Sequence, residues 1–144
     1  MPAAFCIFCD IVQGKAPASF VYADDRVAAF MDIQPVNAGH LLVVPRAHAS
    51  HLADLDPHTG GHMFRVGRDL AGALGASGVR CEGVNLFLAD GEAAGQEVAH
   101  VHLHVIPRFR GDGFGFRFGP DYGFVPKRDN LDQTAAAIRK ALEN

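Results

Sequence analysis

Residues 99–106 alternate between apolar side chains and histidine over most of their length. Successive side chains of a β-strand point to opposite faces, so the pattern predicts a strand with one apolar face and one face of imidazoles. Pro107 cannot donate a ladder hydrogen bond and is expected to end the strand. The apolar face suits a core covered by a helix. The other face carries His100, His102 and His104.

Three interpretations of the histidine face are open at this point. A plain polar face would be served as well by serine, threonine or lysine. A single metal ion bound by all three rings is disfavoured, because the outer Cα atoms lie about 13 Å apart on a straight strand and zinc–nitrogen bonds are about 2.0–2.1 Å. A phosphoryl group can lie between two neighbouring rings, one attacking phosphorus while the other donates to a phosphoryl oxygen. The first or the last histidine then has another role.

Short apolar stretches bounded by turn residues predict further strands, giving a sheet of about five. Ala23-Asp24-Asp25 separates the first two strands and indicates a β-hairpin. Several neighbouring strands are joined by short loops, which favours an antiparallel sheet covered by helices, an α+β fold. At 144 residues, without repeat or linker, the chain is expected to form one domain, 1–144. The predicted strands are 19–22, 26–31, 40–44, 82–89 and 99–106.

Two amphipathic stretches predict helices. The longer one covers 57–77, with Pro57 in its first turn and Asp56 as N-cap. The second covers about 130–143, with Asn130 as N-cap. Two stretches follow neither helical nor strand period. Residues 5–12 fit a short helix or a knuckle. The Gly- and Phe-rich segment 109–124 is an expected ordered loop, whose aromatic side chains provide packing and dimer contacts or, alternatively, shape a pocket for a leaving group.

Charge, hydropathy and cysteine content exclude several classes of protein. The 13 Lys and Arg against 16 Asp and Glu exclude a polybasic nucleic-acid binder. No apolar run approaches the roughly 18 residues that span a bilayer, so no membrane association is expected. The first six residues lack the pattern of a secretory signal. The odd set Cys6, Cys9 and Cys81 argues against a disulfide framework and predicts a cytoplasmic location, with Cys81 as a small buried hydrophobe.

The run His-Val-His-Leu-His-Val-Ile at 100–106 resembles the motif that names the histidine triad (HIT) family of nucleotidyl hydrolases and transferases. The resemblance covers about residues 5 to 115. It implies a HIT-like fold whose sheet continues across a homodimer, and hydrolysis of nucleoside phosphoramidates or other nucleoside monophosphoryl compounds. The other similar stretches are Ala29–Pro35, Gly39–Arg46, Gly95-Gln96 and, as in bacterial members, Cys6-Ile7-Phe8-Cys9.

The resemblance makes His102 the nucleophile, which attacks the α-phosphorus and forms a nucleotidyl-histidine that water then cleaves. Neutral imidazole is suited to this step, because its unperturbed pKa is about 6.5 and a covalent intermediate divides one displacement into two easier ones. The other implied phosphate contacts are His104, His40, Asn85, Gln96 and the backbone N–H groups near Glu97 and Val98.

The resemblance also implies a nucleoside pocket. Asp32 matches the ribose acceptor, since a carboxylate can accept hydrogen bonds from both ribose hydroxyls. The apolar side chains that fall where the base should bind are equally compatible with an ordinary core. They are Ile7, Phe8, Ile11, Phe30, Ile33 and Leu42.

Cys6-x-x-Cys9 fits a redox pair, a metal site or ordinary packing, although the βα context of a redox motif is missing. A structural zinc ion takes four ligands, so two more are required. His100, left without a phosphate role, is the third candidate and His48 the fourth, with His51 as the alternative. The resemblance to bacterial members supports this set of two cysteines and two histidines.

One position departs from the family pattern. The residue after Gln96 is commonly a hydroxyl residue in the phosphoramidase-like branch, and here it is Glu97. A carboxyl group at this position could act as a catalytic acid only if its surroundings raised its pKa. An ionised carboxylate would instead repel an extended polyphosphate, so amine or short leaving groups are expected. The alternatives to such a hydrolase are a nucleotide-binding regulatory module with slow turnover, and a nucleotidyl transferase or dinucleoside polyphosphate hydrolase.

Overall fold

The computed structural model describes residues 5–144 and contains one antiparallel sheet of five strands in the order β1-β2-β3-β5-β4. The predicted α+β fold is confirmed. The first four residues, on which part of the expectation of no secretory signal rests, lie outside the described residues. The elements are α1 Ile7–Val12, β1 Phe20–Ala23, β2 Val27–Met31, β3 Leu41–Pro45, α2 Pro57–Ala76, β4 Gly83–Leu88, β5 Leu103–Arg108 and α3 Arg128–Leu142.

The histidine strand begins later than its alternation predicts. β5 starts at Leu103 rather than Ala99, because its ladders with β3 and β4 both end at that residue. Upstream, the N–H of Val101 donates to the carbonyl of Ala49 instead of to a strand. Pro45, the last residue of β3, offers no N–H, and its carbonyl accepts from the His100 ring. The prediction of a strand over 99–106 is therefore wrong for its first four residues. The prediction that Pro107 ends the strand is also wrong, because β5 continues to Arg108, which pairs with Gly83 of β4.

The alternation of faces nevertheless persists through this segment. Val101, Leu103 and Val105 pack in the core that includes α2. On the other side the ring centroids of His102 and His104 lie 4.9 Å apart. The irregular backbone of 99–102 thus keeps the apolar and histidine faces separate.

Helices cover the central strands on both faces. One face carries α2, whose N-cap Asp56 accepts a hydrogen bond from the Thr59 N–H as predicted. The other face carries α1, which packs against β2 and β3. The α1-side core consists of Cys6, Phe8, Cys9, Ile11, Ala28, Phe30, Leu42 and Val44.

The chain divides into two compact units, Met1–Phe114 and Gly115–Asn144. The first contains the sheet, α1 and α2. The second contains α3, which begins at Arg128 with Lys127 as N-cap, so Asn130 lies inside the first turn and the predicted cap is wrong. Within this unit the ring of Phe118 stacks on Tyr122 with centroids 3.7 Å apart. Organisation as a single domain stays a prediction.

None of the helices in the described part of the chain combines the length and hydropathy that a bilayer crossing requires.

The packing of α2 on β5 predicts opposite effects for two glycines of the same helix. A Cβ at Gly72 would meet nothing within 4 Å, so Gly72→Ala should stabilise the protein by about 0.5–1 kcal/mol through helix propensity. A Cβ at Gly67 would lie 2.9 Å from Leu103 Cδ2, so Gly67→Ala should destabilise it by about 1–3 kcal/mol. Urea unfolding measures both, and equal stabilisation by the two variants would contradict this packing.

Candidate functional site

Two histidines from neighbouring strands meet on the α1 side of the sheet. His40 lies just before β3, and His104 lies in β5 opposite Leu42. Because side chains two residues apart share a face, His40 lies diagonal to His104 across the ladder. Their rings form a hydrogen bond, with Nε2 of His40 2.9 Å from Nδ1 of His104.

The hydrogen-bond partners assign the protons on this pair. The Val36 N–H donates to Nδ1 of His40 at 3.0 Å, so the proton of neutral His40 is on Nε2. That Nε2–H donates to Nδ1 of His104, which leaves the proton of neutral His104 on Nε2. The chain of hydrogen bonds therefore ends in a donor, the Nε2–H of His104.

His102 is held in the opposite tautomer. Its Nδ1–H donates to the backbone carbonyl of His100 at 2.8 Å, so Nε2 carries the free lone pair. The ring is only 5% exposed and packs edge-on against Phe8 and His104. A nitrogen acceptor, or nucleophile, thus lies beside the donor ring of His104.

Burial keeps the paired histidines neutral. Burial, followed by the neighbouring rings of His102 and His40, lowers the pKa of His104 from 6.5 to about 4, against a smaller opposing effect of Asp32. Burial also lowers the pKa of His40, again partly offset by Asp32. Neither ring is protonated at neutral pH, so the tautomers above hold there.

Asp32 lies beside His40 rather than apart from the histidines. Its Oδ1 accepts a hydrogen bond from the Gln34 N–H at 2.8 Å, which fixes the turn before β3. Its Oδ2 lies 3.6 Å from Nε2 of His40. This second oxygen reinforces the Nε2–H tautomer of His40 and is the one that remains for another donor.

Asn85 is engaged elsewhere. Its Oδ1 accepts a hydrogen bond from Arg108 at 2.5 Å, and Arg108 also donates to Asp112. In the β4–β5 register Asn85 lies opposite Ile106, two residues beyond His104. Phe87 is the β4 residue opposite His104, with ring centroids 5.7 Å apart. The structure therefore groups Asn85 with Arg108 and Asp112.

The loop before His100 offers backbone rather than side-chain donors. Both N–H bonds of the Gln96 amide are used, by the carbonyls of Ser50 and Val98, and its Oε1 accepts from Gly91. Gln96 therefore fixes the loop. The Glu97 side chain is exposed. Among residues 5–144, no hydrogen bond engages the backbone N–H of Glu97 or Val98.

The six apolar residues predicted for the base pocket fall into two groups. Phe8, Ile11, Phe30 and Leu42 are buried in the core under α1. Ile7 is 48% exposed and Ile33 94% exposed. Ordinary core packing accounts for the first four, and only the two exposed side chains are free for other contacts.

Four sulfur and nitrogen donors converge between α1 and the start of the histidine segment. Sγ of Cys6 lies 3.3 Å from Nδ1 of His100, and Sγ of Cys9 lies 3.3 Å from Nδ1 of His48. All four donor atoms lie within 4.8 Å of one another. This spacing and chemistry fit a tetrahedral zinc site of two thiolates and two imidazoles.

The outer contacts of this cluster also suit a metal site. Nε2–H of His100 donates to the Pro45 carbonyl at 2.8 Å, and Nε2 of His48 is hydrogen-bonded to Ser50 at 3.2 Å. The Nδ1 lone pair of His100 is thereby directed at the thiols, and the serine contact of His48 is compatible with the same arrangement. Burial and Cys6 raise the pKa of Cys9 to about 11 in the absence of a cation, so binding a metal would displace the thiol proton.

His51, the alternative fourth ligand, and Cys81, predicted to be buried, both lie outside this cluster. His51 is the N-cap of the single turn Leu52–Asp54 and contacts Asp90, so His48 and not His51 joins the cluster. Cys81 is only partly buried, against the α2-side core, rather than fully buried as predicted.

Two contacts of the site escaped sequence reasoning. The backbone N–H of Val36 sets the tautomer of His40, and no sequence signal marks a backbone donor in a loop. Phe87 flanks His104, and the alternation of β4 would have identified it had the register with β5 been known.

Comparison with known proteins relates the chain to proteins with a HIT domain. A family model described as "HIT domain" matches residues 13–111. The chain is similar to a HIT family protein from Bacillus anthracis, with TM-score 0.87 and 38% identity over 96% of this chain and 97% of that one. It is also similar to a Zn-bound histidine triad family protein from Mycobacterium smegmatis, with TM-score 0.75 and 38% identity over 94% and 99%. A histidine triad nucleotide-binding protein from Candida albicans gives TM-score 0.83 and 26% identity over 96% and 97%.

The lowered pKa of His104 predicts a specific dependence of stability on pH. An unfolded histidine titrates near 6.5 and folded His104 near 4, so between these values the unfolded chain binds more protons and the free energy of unfolding falls as pH falls. His104→Asn keeps an acceptor for His40 but no longer titrates. Urea unfolding from about pH 7 to 4 should show that the free energy of unfolding falls less steeply with pH in this variant than in the wild type. His51→Asn is the control and should match the wild type. All three proteins retain the cysteine cluster, so any effect of that cluster on the slope is common to them. Equal slopes would contradict a buried neutral His104.

Proposed function

The chain belongs to the HIT family, and we propose that it hydrolyses nucleoside 5′-monophosphoryl compounds through a covalent nucleotidyl-histidine on His102. Family membership supports a nucleotide-related binding or hydrolase role. The observation that carries the finer proposal is the hydrogen bond from His102 Nδ1–H to the His100 carbonyl, because it leaves Nε2 as an unprotonated nucleophile beside a hydrogen-bond donor.

The first step is the attack of His102 Nε2 on the α-phosphorus. A nitrogen–phosphorus bond forms, the bond to the leaving group breaks, and the leaving group departs with the electron pair and takes a proton from water. The His102 ring becomes cationic, and its Nδ1–H strengthens its hydrogen bond to the His100 carbonyl. The Nε2–H of His104 donates to a phosphoryl oxygen as charge develops there.

The second step is hydrolysis of the nucleotidyl-histidine. Water attacks phosphorus, the nitrogen–phosphorus bond breaks, and its electron pair returns to His102 Nε2. The proton lost by the attacking water goes to solvent. The free backbone N–H groups of Glu97 and Val98 are the further donors we assign to the phosphoryl oxygens in both steps.

We place the ribose at Asp32 and the base beside the exposed side chains of Ile7 and Ile33. Asp32 Oδ2 is the oxygen that the turn does not use, which supports its role as a hydroxyl acceptor. The buried residues of the predicted pocket, Phe8 among them, then support its floor. Asn85 has no part in this proposal because Arg108 occupies its amide oxygen.

We propose that the cluster of Cys6, Cys9, His48 and His100 holds one structural zinc ion. The fit of four donor atoms within 4.8 Å supports it, as does the zinc in the similar protein from Mycobacterium smegmatis. When bound, zinc would supply a cross-link between α1 and the loops that precede α2 and β5. A homodimer with a continuous sheet and a cytoplasmic location stay predictions.

Activity tests the role of His102 directly. We expect wild-type protein to hydrolyse an adenosine 5′-phosphoramidate, and His102→Ala to lower kcat/KM by about 10³-fold or more, because no other group replaces a covalent nucleophile. His51→Ala, an exposed histidine outside both clusters, is the matched control and should retain the wild-type rate. A near-normal rate in His102→Ala would remove His102 from the nucleophile role, and tight nucleotide binding without turnover would favour a binding module.

Glu97 is expected to set the choice of leaving group. Its exposed carboxylate lies next to the backbone donors assigned to phosphate, so it should repel a dinucleoside polyphosphate more than an amine leaving group. In Glu97→Ser the rate with the polyphosphate, relative to the phosphoramidate, should rise roughly two- to fivefold. Glu92→Ser, an exposed glutamate of the same loop, controls for loss of charge. An unchanged ratio in Glu97→Ser would defeat this assignment.

Zinc binding is tested by metal analysis of purified protein. We expect about one zinc per chain in the wild type and in His51→Ala, and loss of most of it in His48→Ala, because His48 and not His51 joins His100 beside the cysteines. Removal of zinc by a chelator should lower the Tm of the wild type. Full zinc content in His48→Ala would show that a different ligand set holds the metal.

A further inference from the structure

His100 contacts both the cysteines of the proposed zinc site and the histidine proposed as nucleophile. Its Nδ1 lies 3.3 Å from Sγ of Cys6 and 3.6 Å from Sγ of Cys9. Its backbone carbonyl accepts the Nδ1–H of His102 at 2.8 Å. One residue thus connects the donor set proposed for zinc with the ring proposed as nucleophile.

The orientation of His100 is defined by contacts on every side. It is completely buried, its Nε2–H donates to the Pro45 carbonyl, and its backbone N–H donates to Val98 at 2.8 Å. Because His100 is close-packed and hydrogen-bonded through both ring nitrogens and its backbone N–H, a change in what holds Nδ1 is expected to shift the residue as a whole, including the carbonyl that His102 uses.

A second connection runs through Phe8. Phe8 lies between Cys6 and Cys9 in the single helical stretch α1, and its ring packs edge-on against both His100 and His102, with centroids 5.7 and 5.1 Å away. A helix of six residues is unstable on its own, so the position of Phe8 depends on what holds the two cysteines.

We propose that His100 is a positioning residue through which metal occupancy of the Cys6–Cys9–His48–His100 cluster sets the tautomer and orientation of His102. Without the metal, weak sulfur–nitrogen hydrogen bonds are the direct links from Cys6 and Cys9 to the His100 ring, and the carbonyl of His100 and the ring of Phe8 gain freedom. His102 then also populates the tautomer with its proton on Nε2, which has no lone pair to offer to phosphorus. The consequence for turnover rests on the proposed function, whereas the coupling itself does not.

The test uses the full-length protein labelled with ¹⁵N-histidine and long-range proton–nitrogen NMR at about pH 8, where imidazoles are neutral. In zinc-loaded protein His102 should be in the Nδ1–H tautomer, and after removal of zinc with a chelator a mixture of the two tautomers should appear. His40 and His104 take their protons from the separate chain that begins at Val36, so their signals should keep their tautomers and serve as internal controls. Cys81→Ser, the cysteine outside the cluster, should behave as the wild type. An unchanged His102 in folded, metal-free protein would overturn the proposal.

A reciprocal measurement covers the case in which metal-free protein unfolds. If zinc favours the His102 hydrogen bond, then loss of that bond must weaken zinc binding by the same factor. His102→Phe retains a ring but has no Nδ1–H, and its zinc affinity, measured by competition with a chelator, should fall about fivefold, the worth of one net hydrogen bond. His104→Phe, the matched variant outside the hydrogen bond, should bind zinc as the wild type does. Equal affinities in the two variants would overturn the proposal.

Both measurements separate this inference from the proposed function. A protein without phosphoramidase activity whose His102 tautomer follows zinc would refute the proposed function and leave the coupling supported. An active hydrolase whose His102 is indifferent to zinc would refute the coupling and leave the proposed function supported.

Discussion

The proposed chemistry depends on one hydrogen bond, from Nδ1–H of His102 to the backbone carbonyl of His100. A neutral imidazole has one proton to place, and wherever that proton is fixed the other nitrogen becomes the acceptor. A backbone carbonyl cannot change its protonation, so it is a durable way to select the tautomer. The same bond would stabilise the cationic ring that forms when His102 takes a phosphoryl group.

The topology supplies the complementary ring. Because β3 and β5 are neighbours, His40 and His104 meet across the ladder, and the Val36 N–H sets the proton order along the pair in the opposite sense to His102. Burial lowers both pKa values, so the pair acts as a neutral donor. The α1 helix covers this face of the sheet and carries the two cysteines that adjoin His100, so packing, proposed metal site and histidines form one continuous structure.

Much of the fold could be predicted from periodicity, because α2 and β5 each bury one row of apolar side chains in the core. The first residue of β5 could not be predicted. It depends on Pro45, which has no N–H to offer to β5, and on the carbonyl of Ala49, which accepts from the Val101 N–H. The number of ligands that zinc takes and the resemblance to bacterial members together predict the set with His48; the structure brings these four side chains together, and zinc binding stays a prediction. The partner of Asn85 could not be predicted. Arg108 on the adjacent strand donates to the amide oxygen of Asn85, and the sequence does not show whether an arginine or a phosphate group binds this amide.

In the proposed reaction His102 becomes covalently bonded to the nucleotide. Rapid quenching of the protein with an adenosine 5′-phosphoramidate at alkaline pH, followed by proteolysis and mass spectrometry, detects this bond. We expect an added adenosine monophosphate on the side chain of His102 that decays as product forms. Turnover with the label on another residue, or with no label at any quench time shorter than one turnover, would contradict it.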